Sequence, residues 1–99
     1  MAKILCEFNF DGELYVFNAE LTRGLEITDL SFVSNPGRRR EAALRELVVL
    51  VGNLLRSGLP FETLERAEKL SPLMMSIVAA VQAARGRIAR ALAKSGAAA

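Results

Sequence analysis

The chain has 99 residues, of which 52% are hydrophobic and 24% are charged, with a net charge of +2. This composition is typical of a small globular domain and excludes an intrinsically disordered chain. No apolar run reaches the roughly 18 residues that suggest a membrane span, and the charges of Lys3 and Glu7 argue against a signal peptide. The single cysteine, Cys6, excludes an internal disulfide, so we expect a cytoplasmic protein.

The first two strands are predicted from alternating apolar and polar residues. The alternation runs from Ile4 to Phe10 and again from Glu13 to Leu21. Asp11-Gly12 lies between the two runs, and this dipeptide is a strong hairpin signal because glycine accepts a positive φ without penalty.

A third strand is predicted after a turn at Thr22-Arg23-Gly24. It covers about Leu25 to Val33, and its alternation slips midway, which predicts a bulge near Thr28 or Asp29. Because both connections are short, the three strands are expected to form an antiparallel meander.

Helices are predicted after the break at Ser34-Asn35-Pro36-Gly37. The first helix begins near Arg38 to Glu41 and ends at Gly58, a plausible left-handed residue followed by Pro60. Its apolar stripe, which Ala43 and Leu50 widen, consists of Leu44, Leu47, Val48, Val51, Leu54 and Leu55.

Two further helices complete the predicted fold. A short helix covers about Phe61 to Leu70, and Ser71-Pro72 then caps and opens a last helix that extends to about Lys94. The expected class is α+β: a three-stranded antiparallel meander followed by two or three helices packed on one face. We expect one domain over residues 1–96, with a frayed tail at 97–99. Apolar surface that one small sheet cannot cover favours a homo-oligomer.

The residue types present leave little scope for catalysis. The chain has no histidine, which removes the usual general base and the usual metal ligand. One cysteine cannot build a thiolate metal site, and no phosphate-cradling glycine loop occurs. Cys6 lies on the apolar face of the first strand, where an inert buried thiol is expected. The sequence therefore predicts no catalytic residue, no metal site and no cofactor.

One candidate binding site is the segment that contains Asn35, Gly37, Arg38, Arg39 and Arg40. It places three guanidinium groups beside the start of a helix. The N-terminus of a helix attracts anions, and arginine binds phosphate or carboxylate through two hydrogen bonds. These residues are a candidate anion-binding or partner-binding site. The alternative is that the arginines are solvated and pair with nearby acids.

A second candidate is a basic face on the last helix. Residues 1–33 carry six acids against two bases, whereas residues 70–99 carry four bases and no acid. Arg87, Arg90 and Lys94 are spaced by three and four and therefore share one side of the helix. This face is either solvated or docks to an acidic partner or nucleic acid.

The middle of the chain resembles the TSCPD domain family. The resemblance rests on Gly37-Arg38 opening a helix, on the run from Leu55 through Gly58-Leu59-Pro60 to Leu64, and on Leu70-Ser71-Pro72 with Ile77-Val78-Ala79-Ala80. It covers about residues 13–84. The family occurs at the tail of adenosylcobalamin-dependent ribonucleotide reductases and as small separate proteins. The resemblance implies an accessory domain with Gly37 to Glu41 as a contact region. The family cysteines have no counterpart at matching positions here.

Together these observations favour a non-catalytic accessory or interaction domain that is associated with ribonucleotide reductase. Its expected partner is another protein or a second copy of itself, with no membrane partner. The alternative is a small nucleic-acid-binding module that uses Arg38 to Arg40 and the basic last helix.

Overall fold

The computed structural model describes residues 2–10, 12–32 and 41–94. Its elements are the strands β1 (Ala2–Phe10), β2 (Glu13–Leu21) and β3 (Ile27–Phe32) and the helices α1 (Glu41–Arg56), α2 (Phe61–Glu65) and α3 (Pro72–Lys94). The strands form one antiparallel sheet in the order β1-β2-β3. The predicted class, an α+β meander followed by helices, is therefore confirmed.

The hairpin between β1 and β2 is built as the sequence predicts. Phe10 pairs with Glu13, so two residues connect the strands, and Gly12 takes a positive φ of 78°. Cys6 lies directly opposite Phe17, and both side chains are fully buried on the face that the helices cover.

The second turn places its left-handed residue where the sequence does not suggest it. Leu25, not Gly24, has a positive φ, at 62°. The turn holds this strained residue with three hydrogen bonds. The Leu25 amide donates to the Thr22 carbonyl at 3.0 Å, the Thr22 amide donates to the Glu26 carbonyl at 3.0 Å, and the Glu26 amide donates to the Thr22 hydroxyl at 3.1 Å.

The predicted bulge in the third strand is present. Glu20 pairs with Asp29 but the next residue, Leu21, pairs with Ile27, so Thr28 has no residue opposite it. The Thr28 hydroxyl bonds back to the Glu20 carbonyl at 3.4 Å. The bulge bends the start of β3 beside the α1–α2 connection.

The apolar stripe of α1 is narrower than the sequence predicts. Leu44, Val48, Val51 and Leu55 are buried, and α1 lies against β3. Two other members of the predicted stripe are exposed, Leu50 by 54% and Leu54 by 40%. The wider stripe was wrong because a helix on one face of a sheet buries a single side.

The second helix is shorter than predicted and ends at Glu65 instead of Leu70. At its end the Arg66 amide donates to the Glu62 carbonyl at 3.0 Å, and the Ala67 amide donates to the Leu64 carbonyl at 3.3 Å, so the last turn tightens and the helix stops. Ser71 caps α3, because its hydroxyl accepts a hydrogen bond from the Met74 amide at 3.2 Å. A capping residue has non-helical backbone angles, so α2 cannot run directly into α3.

Helix α3 lies against β1 and spans its predicted range. Met74 is buried whereas Met75 is 58% exposed, so only one of the pair fills the core. Leu92 lies beyond Ala84, the last buried position of α3, and is 43% exposed.

The buried apolar residues of the sheet and the helices form one cluster. Within the described ranges, no helix is long and apolar enough to cross a bilayer. The predicted site residues Asn35, Gly37, Arg38, Arg39 and Arg40, and the predicted tail at 97–99, lie outside the described residues.

Candidate binding cleft beside Arg85

The connection between α1 and α2 forms one wall of a cleft. Gly58 takes a φ of 109° and its amide donates to the Leu55 carbonyl at 3.1 Å, while the Leu59 amide donates to the Leu54 carbonyl at 3.0 Å. This pair of bonds is a Schellman motif, which ends the helix and turns the chain sharply. Pro60 then occupies the N-cap position of α2 in an extended conformation. The rigid turn therefore presents Leu59 and Pro60 to the cleft.

The opposite wall is the bulged start of β3. Glu26, Ile27 and Thr28 line the cleft here. Ile27 is buried and continues the core, whereas Glu26 is exposed at the rim. Because of the bulge at Thr28, these three consecutive residues all border the cleft.

Arg85 lines the cleft from the middle of α3. Its Nη2 lies 3.1 Å from Glu65 Oε2, and its guanidinium carbon lies 5.5 Å from the centre of the Phe61 ring. Gln82 Nε2 also donates to Glu65 Oε2, at 2.9 Å. The side chains of Arg85 and Glu65 are 27% and 21% exposed, so the ion pair is half-buried. Unlike an exposed ion pair, this pair is partly shielded from water, and its carboxylate also accepts a hydrogen bond from Gln82.

The cleft has a volume of about 380 Å³, with mainly apolar walls and an acidic rim. Its lining residues are Glu26, Ile27, Thr28, Leu55, Gly58, Leu59, Pro60, Phe61, Glu62 and Arg85. Glu65 offsets the charge of Arg85, and the other two charged lining residues, Glu26 and Glu62, are acidic. Glu62 also lies 3.5 Å from Arg66, but both side chains are highly exposed and such a pair is weak.

The side chains that line the cleft are those of a threonine, two glutamates, an arginine and apolar residues. A threonine, two exposed carboxylates and an already paired arginine form no nucleophile–base pair. In the part of the chain that the structure describes, no group of three or more His, Cys, Asp or Glu residues could hold a metal ion. Mainly apolar walls with two acidic residues favour a ligand that has an apolar group next to a positive charge.

Cys6 lies in the sheet core, not in this cleft. Burial raises the pKa of its thiol from 9.0 to about 11, and the Arg87 charge acts in the opposite direction. The thiol therefore stays protonated at neutral pH and is a poor nucleophile.

The predicted basic face lies on the second half of α3. Arg87, Arg90 and Lys94 are all exposed, and within the described residues none of them forms an ion pair. Arg85, close by in sequence, points instead to Glu65. The role of this face stays a prediction, as does that of the arginine segment.

The Gly58-Leu59-Pro60 turn is evident in the sequence, but the cleft that it borders is not. Arg85 and Glu65 are twenty residues apart, and no local pattern joins them. Comparisons with protein-family models, with curated proteins and with solved structures each found no match to this chain. The likeness to the TSCPD family therefore stays a prediction from the sequence.

Proposed function

We propose that this chain is a non-catalytic interaction domain whose cleft beside Arg85 binds a segment of another protein. The segment would insert an apolar side chain and carry a lysine or arginine next to it. The observation that supports this proposal is the combination of apolar walls with the acidic rim of Glu26 and Glu62. A cleft of about 380 Å³ is small among ligand sites, which span roughly 300–1,000 Å³, and suits one or two side chains.

Electrostatics favours a basic segment over an anion. The Arg85 charge is offset by Glu65 at 3.1 Å, which leaves two carboxylates at the opening. A phosphate or carboxylate ligand would meet these carboxylates, whereas a lysine would be attracted by them. Because both carboxylates are exposed, they contribute mainly to specificity and association rate.

The test uses two synthetic peptides. One has a central leucine flanked by lysines, and the other has the same leucine flanked by glutamates. Titration of the ¹⁵N-labelled chain should shift the amides of Ile27, Leu59 and Phe61 with the lysine peptide and leave them in place with the glutamate peptide.

Charge reversal of the rim supplies the second arm. The double variant Glu26→Lys/Glu62→Lys should lose the response to the lysine peptide, whereas the control Glu46→Lys/Glu68→Lys, with the same change in net charge on exposed sites, should keep it. Equal binding of both peptides, or unchanged binding by the rim variant, would contradict the proposal.

The TSCPD resemblance extends the proposal to one partner, a ribonucleotide reductase. Isothermal titration of the chain into a purified adenosylcobalamin-dependent reductase would measure this directly. Binding that the rim variant abolishes supports the reductase as the partner. Absence of binding removes the reductase but leaves the peptide test to decide the cleft.

Nucleic-acid binding is a second candidate function, supported by the exposed cations Arg87, Arg90 and Lys94. Affinity for a single-stranded oligonucleotide should then fall steeply with salt, and replacement of all three by glutamine should reduce the salt slope. Binding that does not depend on salt or on these residues would remove this candidate.

A further inference from the structure

Strand β1 is an edge strand suited to pairing. The sheet order is β1-β2-β3, so within the described residues no strand pairs with the outer side of β1. Its nine residues pair with β2 without a break in register, and they include no proline. Proteins usually blunt such edges with bulges, prolines, very short strands or charged side chains, since a long regular edge pairs readily with another strand. Of these devices β1 carries only charged residues, Lys3 and Glu7.

The hairpin determines which backbone groups face outward. Phe10 and Glu13 close a two-residue turn, so their backbones exchange hydrogen bonds. Hydrogen-bonded and non-bonded pairs alternate along an antiparallel ladder. The amides and carbonyls of Lys3, Leu5, Glu7 and Asn9 therefore point away from β2, toward the free edge.

The side chains of these same residues lie on the uncovered face of the sheet. Lys3, Leu5 and Glu7 are all exposed, and the Leu5 side chain is exposed by 53%. Lys3 and Glu7 stand two residues before and two residues after Leu5. An antiparallel copy of β1 with its two-fold axis at Leu5 would place each Lys3 directly opposite Glu7 of the other copy.

Other registers lose this complementarity. A two-fold axis at Ile4 would place Lys3 opposite Leu5, an axis at Cys6 would place Leu5 opposite Glu7, and an axis at Glu7 would set two carboxylates together. Opposite charges across a strand pair stabilise it and like charges destabilise it. The register centred on Leu5 is also the one that pairs the two exposed leucines.

We propose that a second copy of this chain pairs with the β1 edge in this register and forms a continuous six-stranded sheet. The two-fold axis is perpendicular to the sheet, so the helices of both copies lie on the same face. On that face Ile4 would lie opposite Cys6, and Ala2 opposite Phe8, of the other copy. Ile4 and Phe8 are only partly buried in the single chain, and pairing would cover them further. This dimer interface does not include the cleft beside Arg85.

The test measures the dissociation constant of the dimer by sedimentation equilibrium. Lys3→Glu should raise it about thirtyfold, because two attractive pairs become two repulsive pairs. Glu7→Lys should have the same effect. The double variant Lys3→Glu/Glu7→Lys should restore the wild-type value, since each pair again joins opposite charges.

Mixing the two single variants tests directly whether Lys3 and Glu7 face each other across the interface. Each variant alone should be weakly associating, whereas an equimolar mixture should form a heterodimer, because every cross-strand pair between the two variants joins opposite charges. The matched control, Lys69→Glu, changes the net charge equally at an exposed loop site and should dimerise like the wild type.

Three results would overturn the inference. A wild-type chain that stays monomeric at high micromolar concentration excludes the dimer. Single variants that dimerise like the wild type exclude the β1 edge as the interface. Single variants that dissociate without rescue, either in the double variant or in the mixture, exclude the register centred on Leu5.

Discussion

Gly52 of α1 lies directly against the backbone of Leu30 in β3. A Cβ atom at position 52 would stand 2.5 Å from the Leu30 carbonyl oxygen and 2.9 Å from Oδ1 of Asp29. The carbonyl belongs to a paired strand and cannot move aside cheaply. The absence of a side chain at this one position therefore sets how closely α1 packs on the sheet.

Gly52→Ala should consequently destabilise the protein, although alanine is the better helix former. Overpacking at a site of this kind costs about 1–3 kcal/mol, against a gain of about 1 kcal/mol in helix propensity. We expect a net loss of about 1 kcal/mol and a fall in Tm of about 4–8 °C for a chain of this size. Thermal unfolding followed by circular dichroism measures it.

Gly86→Ala is the matched control and should have the opposite sign. Position 86 lies inside α3, and a Cβ atom there would meet nothing within 4 Å. We expect stabilisation by about 0.5–1 kcal/mol, because alanine loses less conformational freedom in a helix. If both glycine variants changed Tm in the same direction, the close approach at Gly52 would be contradicted.

Glu65→Ala should destabilise the protein more than Glu62→Ala does. The first change leaves Arg85 half-buried without its partner at 3.1 Å, and it also removes the acceptor for Gln82. A loss of about 1–2 kcal/mol is expected, against about 0–0.5 kcal/mol for the exposed Glu62–Arg66 pair. Urea unfolding of the two variants gives the comparison, and equal losses would show that the Arg85 pair behaves as a surface pair.

The Cys6 thiol should show its raised pKa in the pH dependence of stability. Burial favours the protonated thiol in the folded chain, where the pKa is about 11 compared with 9.0 for an unperturbed thiol. A raised folded pKa gives stability that is fully present below pH 9 and is lost as the pH rises toward 11. The free energy of unfolding of the wild type should therefore fall across this range more steeply than that of Cys6→Ala. Parallel curves for the two proteins would contradict a buried thiol.

Reactivity gives an independent check on Cys6. The wild type should react with a thiol-specific disulfide reagent at pH 8 far more slowly than the urea-unfolded chain, because the folded thiol is both protonated and fully buried. Fast reaction of the folded protein would place Cys6 at the surface instead.

Local patterns were reliable where the signal and the structure involve neighbouring residues. Gly12 and Gly58 adopt the positive φ that their turns require, and the slipped alternation in the third strand corresponds to the bulge at Thr28. The predicted end of α2 was wrong: the apolar spacing continues to Leu70, but the helix ends at Glu65, where the Ala67 amide bonds to the Leu64 carbonyl three residues back.

Burial was harder to predict than secondary structure. Leu50 and Leu54 fit an apolar stripe by spacing, yet they are exposed, because which arc of a helix is covered depends on what packs beside it. Gly52 also could not be interpreted from the sequence, where it is only a weak helix former. The structure shows that the missing side chain lets α1 approach the backbone of β3. The positive φ of Leu25, where Gly24 would be the expected residue, likewise depends on hydrogen bonds that involve the whole turn.

The sequence by itself determined the order of strands and helices, the hairpin, the bulge and the buried thiol. These follow from hydrophobic period and turn chemistry, which act over a few residues. The tertiary structure alone decided the Arg85–Glu65 pair and the cleft that Arg85 lines. Each of these depends on segments far apart in the chain, and spacing along a chain carries no information about which distant surfaces meet.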